Sequence, residues 1–323
     1  MTGHVYVSRR LPAAPMTALE SLGVPIVVHP DPDWPPSRGE LLDAVRGASA
    51  LVTLLTERVD TELLKATGNA LQIVANCAVG YDNIDVNAAS SRGVVVTNTP
   101  GVLDEATADC AFGLILATAR RLVEADRFMR TGKEWIWAPQ SFVGIDVSAG
   151  ATLGIVGLGR IGMAVARRAH AFNMRILATG SRADNREAAA FGVQAVEIGT
   201  LLRESDIVSL HCPLTPDTRH LIGASELDVM KASSILVNTA RGPIVDEEAL
   251  VEALEGRIIA GAALDVYEQE PRPHPRLVKL ENVVLLPHIA SAGEATRNAM
   301  CQLAVDNVRA VLNGERPPTP VAG

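Results

Sequence analysis

The chain has 323 residues, enough for two domains at about 150 residues each and for a core burying roughly 75% of the unfolded surface. With 48% apolar and 20% charged residues, it is neither disordered, nor collagen-like, nor a disulfide scaffold. A net charge of -8, from 29 basic and 37 acidic residues with no basic run, excludes nucleic acid and anionic membrane surfaces as electrostatic partners. Aromatic residues make up only 3%, so packing rests on Ala, Val, Leu and Ile, as in parallel α/β sheets. Arg9 and Arg10 are not followed by the apolar stretch of a signal peptide, and the longest apolar run, Ala111 to Ala119, is too short to span a bilayer. A soluble, cytoplasmic protein is the expectation. Cys77, Cys110, Cys212 and Cys301 follow no metal-ligand spacing and read as small buried apolar residues in a reducing compartment, with no metal site.

In chain order, His4 to Val7, Pro25 to Val28, Ala50 to Leu54 and Leu71 to Val74 read as strands. Helical spacing separates them at Arg38 to Arg46 and Asp60 to Ala66, and Pro30 to Pro36, with four prolines in seven residues, reads as a surface loop. Thr99-Pro100-Gly101 is a turn and the expected domain boundary; the helix after it, Asp104 to Arg130, is expected to run unbroken to Gly132. Lys133 to Gly150 lacks periodicity and holds Trp135 and Trp137, which are either an arm packing on a partner subunit or ordinary core anchors. Strands resume at Thr152 to Val156, Arg175 to Ala178, Asp206 to Leu210, Ser234 to Val237, Ile259 to Leu264 and Asn282 to Leu285. Strands alternating with helices of this length predict parallel sheets covered on both faces.

The strand ending at Val156 runs directly into Gly157-Leu158-Gly159-Arg160-Ile161-Gly162 and then a helix over Met163 to Phe172. In that context the glycines bind a dinucleotide: Gly157 permits the tight turn, Gly159 the approach of a pyrophosphate, and Gly162 the packing of helix on strand. The phosphates meet exposed backbone N–H groups, including those of Leu158, Arg160 and Ile161, at the positive end of the helix. An NAD site wants a carboxylate for the ribose about 20 residues further on. Here the next strand ends in Thr179-Gly180-Ser181-Arg182, whose hydroxyl and guanidinium suit a 2′-phosphate. NADP is therefore expected, with NAD possible if Arg182 is only a loop arginine and Asp184 serves the ribose.

Three further segments carry ionisable groups, the first two of them just after strands: Val237-Asn238-Thr239-Ala240-Arg241-Gly242-Pro243-Ile244-Val245-Asp246, with Asp246 capping a helix; Leu264-Asp265-Val266-Tyr267-Glu268-Gln269-Glu270-Pro271; and Leu285-Leu286-Pro287-His288-Ile289-Ala290-Ser291. Ligands of parallel sheets gather at the carboxyl ends of strands.

Together with Val79-Gly80-Tyr81-Asp82-Asn83-Ile84-Asp85, these motifs, in this order from about Leu51 to Pro318, resemble the D-isomer-specific 2-hydroxyacid dehydrogenases. Val102 to Asp109 and the Trp-x-Trp-x-Pro segment resemble the family's glyoxylate/hydroxypyruvate reductase branch. The resemblance implies two Rossmann-like or flavodoxin-like parallel-sheet domains, with a dinucleotide-binding domain (100–288) inserted in a discontinuous substrate domain (1–99 and 289–323). It implies an active site in the cleft and a homodimer. It maps the catalytic triad onto Arg241, Glu270 and His288, with Glu268 competing for the place of Glu270. It assigns substrate contacts to Leu54, Val79, Gly80 and Arg241, and further cofactor contacts to Thr107, Pro213, Thr218, Thr239, Ala240, Asp265 and Ser291. His211 either lies beside the cofactor or is a core histidine, and the remaining histidines are expected to be structural.

Arg241 would clamp the carboxylate of a 2-keto acid and polarise its ketone, while His288 supplies a proton near neutral pH. Glu270 would favour the imidazolium. The expected reaction is reduction of glyoxylate or hydroxypyruvate to the D-2-hydroxy acid by NADPH. Alternatives are another D-2-hydroxyacid or phosphite dehydrogenase, or a nucleotide-sensing corepressor-like protein on the same fold.

Overall fold

The computed structural model describes residues 3–180, 182–183 and 186–321. Two compact units divide the chain: one comprises everything up to Leu103 together with everything from Ala292 on, and the other is Asp104–Ser291.

The first unit runs β1 (His4–Val7), α1 (Ala13–Glu20), β2 (Ile26–Val28), α2 (Arg38–Ala44), β3 (Ala48–Thr53), α3 (Thr61–Ala66), β4 (Ile73–Asn76), α4 (Val86–Ser91) and β5 (Val95–Thr97). Its strands form a parallel sheet in the order β2-β1-β3-β4-β5. Side-chain caps start the short helices where the sequence offers them: Ser37 accepts from the Glu40 N–H, Asp60 from Leu63 and Asp85 from Ala88.

The second unit opens with α5 (Asp104–Ala119) and α6 (Leu122–Arg130), then β6 (Thr152–Val156), α7 (Arg160–Ala171), β7 (Arg175–Thr179), α8 (Arg186–Ala190), β8 (Val193–Ala195), α9 (Ile198–Glu204) and β9 (Ile207–Leu210). It continues through α10 (Ala224–Asp228), β10 (Ile235–Asn238), α11 (Glu247–Glu255), β11 (Gly261–Leu264) and β12 (Val283–Leu285). The parallel sheet has the order β12-β11-β10-β9-β6-β7-β8. Every residue of β6, β9, β10 and β11 is buried, which is why they read as continuous apolar runs rather than alternating ones. Leu153 and Ile155 pack with Ala108, Ile115 and Val165 on one face; Val156, Leu177 and Leu236 pack with Leu201 and Leu250 on the other. The last helix, α12 (Glu294–Leu312), belongs to the first unit, where it packs on α1, β3 and β4.

The expected single helix from Asp104 to Arg130 is two. Arg121 takes a left-handed backbone conformation (φ 53°), and Ile145 N–H donates to the Ala119 carbonyl at 2.8 Å. The Gly144 backbone lies so close that a Cβ there would sit 2.0 Å from the Ala119 oxygen. The returning chain thus ends α5, and Arg121 starts α6 with its guanidinium on Glu124. Two strands escaped the reading of the sequence, β5 and β8, each three residues long and each at a sheet edge. Trp135 and Trp137 are 60% and 75% exposed, so neither is a core anchor. No helix among the described residues is long and apolar enough to cross a membrane.

Candidate active site

Gly157 follows β6 at φ 96°, and a Cβ there would lie 2.5 Å from the Cys212 nitrogen. A Cβ at Gly162 would lie 2.3 Å from the Gly157 oxygen, so both glycines are demanded by close backbone packing. Gly159 differs: it caps α7, and a Cβ there meets nothing within 4 Å. That open side adjoins a cavity of about 220 Å³ with Leu158, Gly159, Arg160 and Arg182 on its wall. Arg160 and Arg182 are exposed there, whereas Arg167, also on the wall, is paired with Glu105. Ser181 and Asp184, on which the choice between NADP and NAD turns, lie outside the described residues. At the end of β10 the Thr239 hydroxyl is buried with no partner among the described residues. An open helix N-terminus, exposed guanidinium groups and an orphaned hydroxyl suit a dinucleotide. Gly157 to Ile161, Arg182 and Thr239 would hold it.

The other expected cofactor contacts are placed variously. Thr107 is buried on α5 and Ala240 is half-buried after Thr239. The Thr218 hydroxyl closes its own loop, donating to the Pro213 carbonyl at 2.7 Å and accepting from Thr215 N–H at 2.8 Å. His211 stands beside the glycine turn, its N–H bonded to the Val156 carbonyl and its Nε2 2.8 Å from the Ser209 hydroxyl. Desolvation lowers its imidazole to about 4, so the ring is neutral at pH 7.

Beyond β10, the Asn238 side chain shapes the loop that presents Arg241: it donates to the Arg241 carbonyl at 2.9 Å and accepts from Ala240 N–H at 3.0 Å. A Cβ on Gly242 would fall 1.8 Å from the Tyr267 carbonyl carbon, so this loop rests directly on the segment leading to Glu270. Beyond β11, Asp265 is fully buried and its carboxylate accepts from Ile289 N–H at 2.7 Å and Ala290 N–H at 2.8 Å. Its carbonyl takes the His288 N–H at 2.9 Å. Burial pushes the Asp265 carboxyl up, against those two N–H donors and the neighbouring His288, which pull it down. Asp265, expected to touch cofactor, therefore anchors the backbone of His288 and of the two residues that follow it. Ser291, half-buried, ends this unit.

His288 itself has φ 57°, and its Nδ1 lies 2.9 Å from Glu270 Oε2; Glu270 Oε1 accepts from Tyr267 N–H at 3.2 Å. Carboxylate contact at Nδ1 leaves Nε2 as the ring's outward nitrogen. Glu268 turns elsewhere, to His220 Nε2 at 2.7 Å, which separates the two glutamates. Tyr267 and Asn238 were missed in the sequence. The Tyr267 hydroxyl donates to the Leu286 carbonyl at 2.8 Å, tying together the loops after β11 and β12. Asn238 could have been noticed, as a polar residue ending an apolar strand one turn before Arg241.

In the first unit, Asn98 donates to the Val79 carbonyl and Asn76 to the Gly80 carbonyl, each at 2.8 Å. Neither N–H of Val79 and Gly80 finds an acceptor among the described residues, so the loop offers two donors to an anion. Leu54 is half-buried after β3, its N–H held by Glu57 at 2.7 Å.

The family model for the D-isomer specific 2-hydroxyacid dehydrogenase NAD-binding domain matches residues 112–290, more than half of the chain. The chain belongs to that family. As a D-2-hydroxyacid dehydrogenase it is an NAD(P)-dependent oxidoreductase, and its parallel sheets are the family's Rossmann-type fold. Glyoxylate reductases of Thermococcus litoralis and Korarchaeum cryptofilum are 49% and 50% identical to it, each over 98% of this chain and over 96% and 95% of their own. Among solved structures, a protein from Thermus thermophilus has a TM-score of 0.91 at 44% identity, covering 99% of this chain and 100% of that one. An NADPH-dependent glyoxylate/hydroxypyruvate reductase from Sinorhizobium meliloti, solved with NADP and malonate, has a TM-score of 0.83 at 35% identity, covering 100% of this chain and 97% of that one.

Proposed function

We propose that this dehydrogenase reduces a small 2-keto acid, glyoxylate or hydroxypyruvate, with NADPH, giving the D-2-hydroxy acid where the product is chiral. The observation that carries the reading is the His288–Glu270 pair at 2.9 Å, with the Arg241 loop packed against the segment that bears Glu270. Arg241 binds the substrate carboxylate and polarises the ketone; the Val79 and Gly80 N–H groups add two donors, and Leu54 lines the pocket. His288 donates a proton from Nε2 to the developing alkoxide, and Glu270 holds the imidazolium through Nδ1–H. A bound nicotinamide supplies the hydride. Arg182 takes the 2′-phosphate, and Thr107, Pro213, Thr218, Ala240, Asp265 and Ser291 complete the cofactor's surroundings. The names of the glyoxylate reductase relatives and the NADPH dependence of the Sinorhizobium relative support the substrate and the cofactor.

A panel of 2-keto acids assayed with NADPH and NADH tests this. Glyoxylate or hydroxypyruvate with NADPH is expected to give the highest kcat/KM; a clear preference for pyruvate or for a branched 2-keto acid would overturn the substrate assignment. The same reading includes a homodimer. No residue of α6 is buried, and Met129, Trp135, Ile136 and Trp137 are exposed beside one another in sequence, a face for a second copy to cover. Sedimentation at the mass of a single 34.1 kDa chain would exclude it.

A further inference from the structure

Cys77 and Cys301 are 224 residues apart in sequence, yet their sulfurs lie 3.4 Å from each other inside the first unit. Both are buried, at 6% and 7% exposure. Cys77 directly follows β4, and Ala78, Val79 and Gly80 come next; Cys301 lies on α12, which packs on β4. The other two cysteines, Cys110 and Cys212, lie in the second unit, where burial pushes each thiol up to about 11.

We infer that Cys77 and Cys301 are an oxidative modification site, a dithiol that a peroxide converts to a disulfide and that thereby alters the Val79–Gly80 loop. The effect on turnover rests on the function proposed above; the disulfide itself does not. Cys301 lies one helical turn after Arg297 on α12, and we assign it as the nucleophile because the guanidinium charge favours its thiolate. Its thiolate attacks the peroxide, forming an S–O bond as O–O breaks, and hydroxide leaves. The Cys77 sulfur then attacks the Cys301 sulfur: the S–S bond forms, S–O breaks, and hydroxide departs. The protons of the two thiols convert both hydroxides to water, so two thiols are oxidised by two electrons and one peroxide is reduced to two waters.

A disulfide needs its sulfurs at about 2.0 Å, so both must close from 3.4 Å. The segment that has to follow is held on the other side by Asn76 on the Gly80 carbonyl, Asn98 on the Val79 carbonyl and Thr99 N–H on the Ala78 carbonyl at 2.9 Å. A shift on the order of 1 Å in a substrate-positioning group can lower turnover by about a hundredfold. We expect kcat/KM for glyoxylate to fall at least about tenfold on oxidation.

The full chain is treated with hydrogen peroxide, the remaining thiols are alkylated, and unreduced peptides are mapped. Activity and amide hydrogen exchange over residues 78–85 are read before oxidation, after it, and after dithiothreitol. The expected result is a peptide pair joined through Cys77 and Cys301, altered exchange in that loop and lowered kcat/KM, all reversed by the reductant. Cys301→Ser and Cys77→Ser each remove the cross-link and the loop response. Absence of the cross-linked peptide from folded, peroxide-treated protein overturns the proposal, as does a cross-link that leaves loop exchange unchanged. If reduced protein fails to turn over glyoxylate, it is the functional reading that fails; peptide mapping and exchange still decide the disulfide.

Discussion

Glu270 Oε2 and His288 Nδ1 meet at 2.9 Å although they leave different strands, and each is fixed by a second bond: Glu270 Oε1 to Tyr267 N–H, and the His288 N–H to the Asp265 carbonyl. The imidazole is thereby oriented by a carboxylate that is itself oriented, as the proposed proton-donor role of His288 calls for.

His288→Ala is expected to lower kcat for 2-keto acid reduction by about 10²–10⁴-fold, the usual contribution of a general acid, while cofactor Kd changes little. Steady-state kinetics and fluorescence titration with NADPH check this. Turnover within about twofold of wild type would remove His288 from the proton-donor role.

Glu270→Gln exchanges the carboxylate that meets His288 Nδ1 at 2.9 Å for an amide. With the ring's orienting partner altered, kcat for 2-keto acid reduction is expected to fall by about 10–100-fold while cofactor Kd changes little. Turnover within about twofold of wild type would dissociate the pair.

Arg182→Ala tests the cofactor assignment. A charged hydrogen bond contributes about 1.5–3 kcal/mol, or a preference of about ten- to a hundredfold at 1.4 kcal/mol per decade. The variant should raise KM for NADPH by that factor and leave NADH nearly untouched. A wild-type enzyme that uses NADH as well as NADPH would make Arg182 a loop arginine.

Desolvation holds the His211 imidazole at about 4 against 6.5 in the unfolded chain. Between those values the unfolded state binds the extra proton, so stability should be complete above pH 6.5 and be lost as pH falls toward 4. The loss from this one group is at most about 3 kcal/mol. Urea denaturation at a series of pH values should show the slope in wild type and a flatter one in His211→Gln; equal slopes would refute the assignment to His211.

Much of this was legible without a structure because it is local. The glycine turn is written in adjacent residues: Gly157 and Gly162 are needed because backbone passes within contact of each, and a strand buried on both faces shows itself as a run such as Leu153 to Val156. The helix starts at Ser37, Asp60 and Asp246 are likewise set by side chains that reach an N–H three residues on. Tertiary structure decided what depends on contacts between distant segments. Nothing in Glu268-Gln269-Glu270 tells which carboxylate faces His288 and which His220; packing of the loops after β10, β11 and β12 does. The end of α5 has no glycine or proline to mark it, because the Ala119 carbonyl is claimed by Ile145, brought back from 26 residues away. Sulfurs 224 residues apart meet only once α12 has closed on β4.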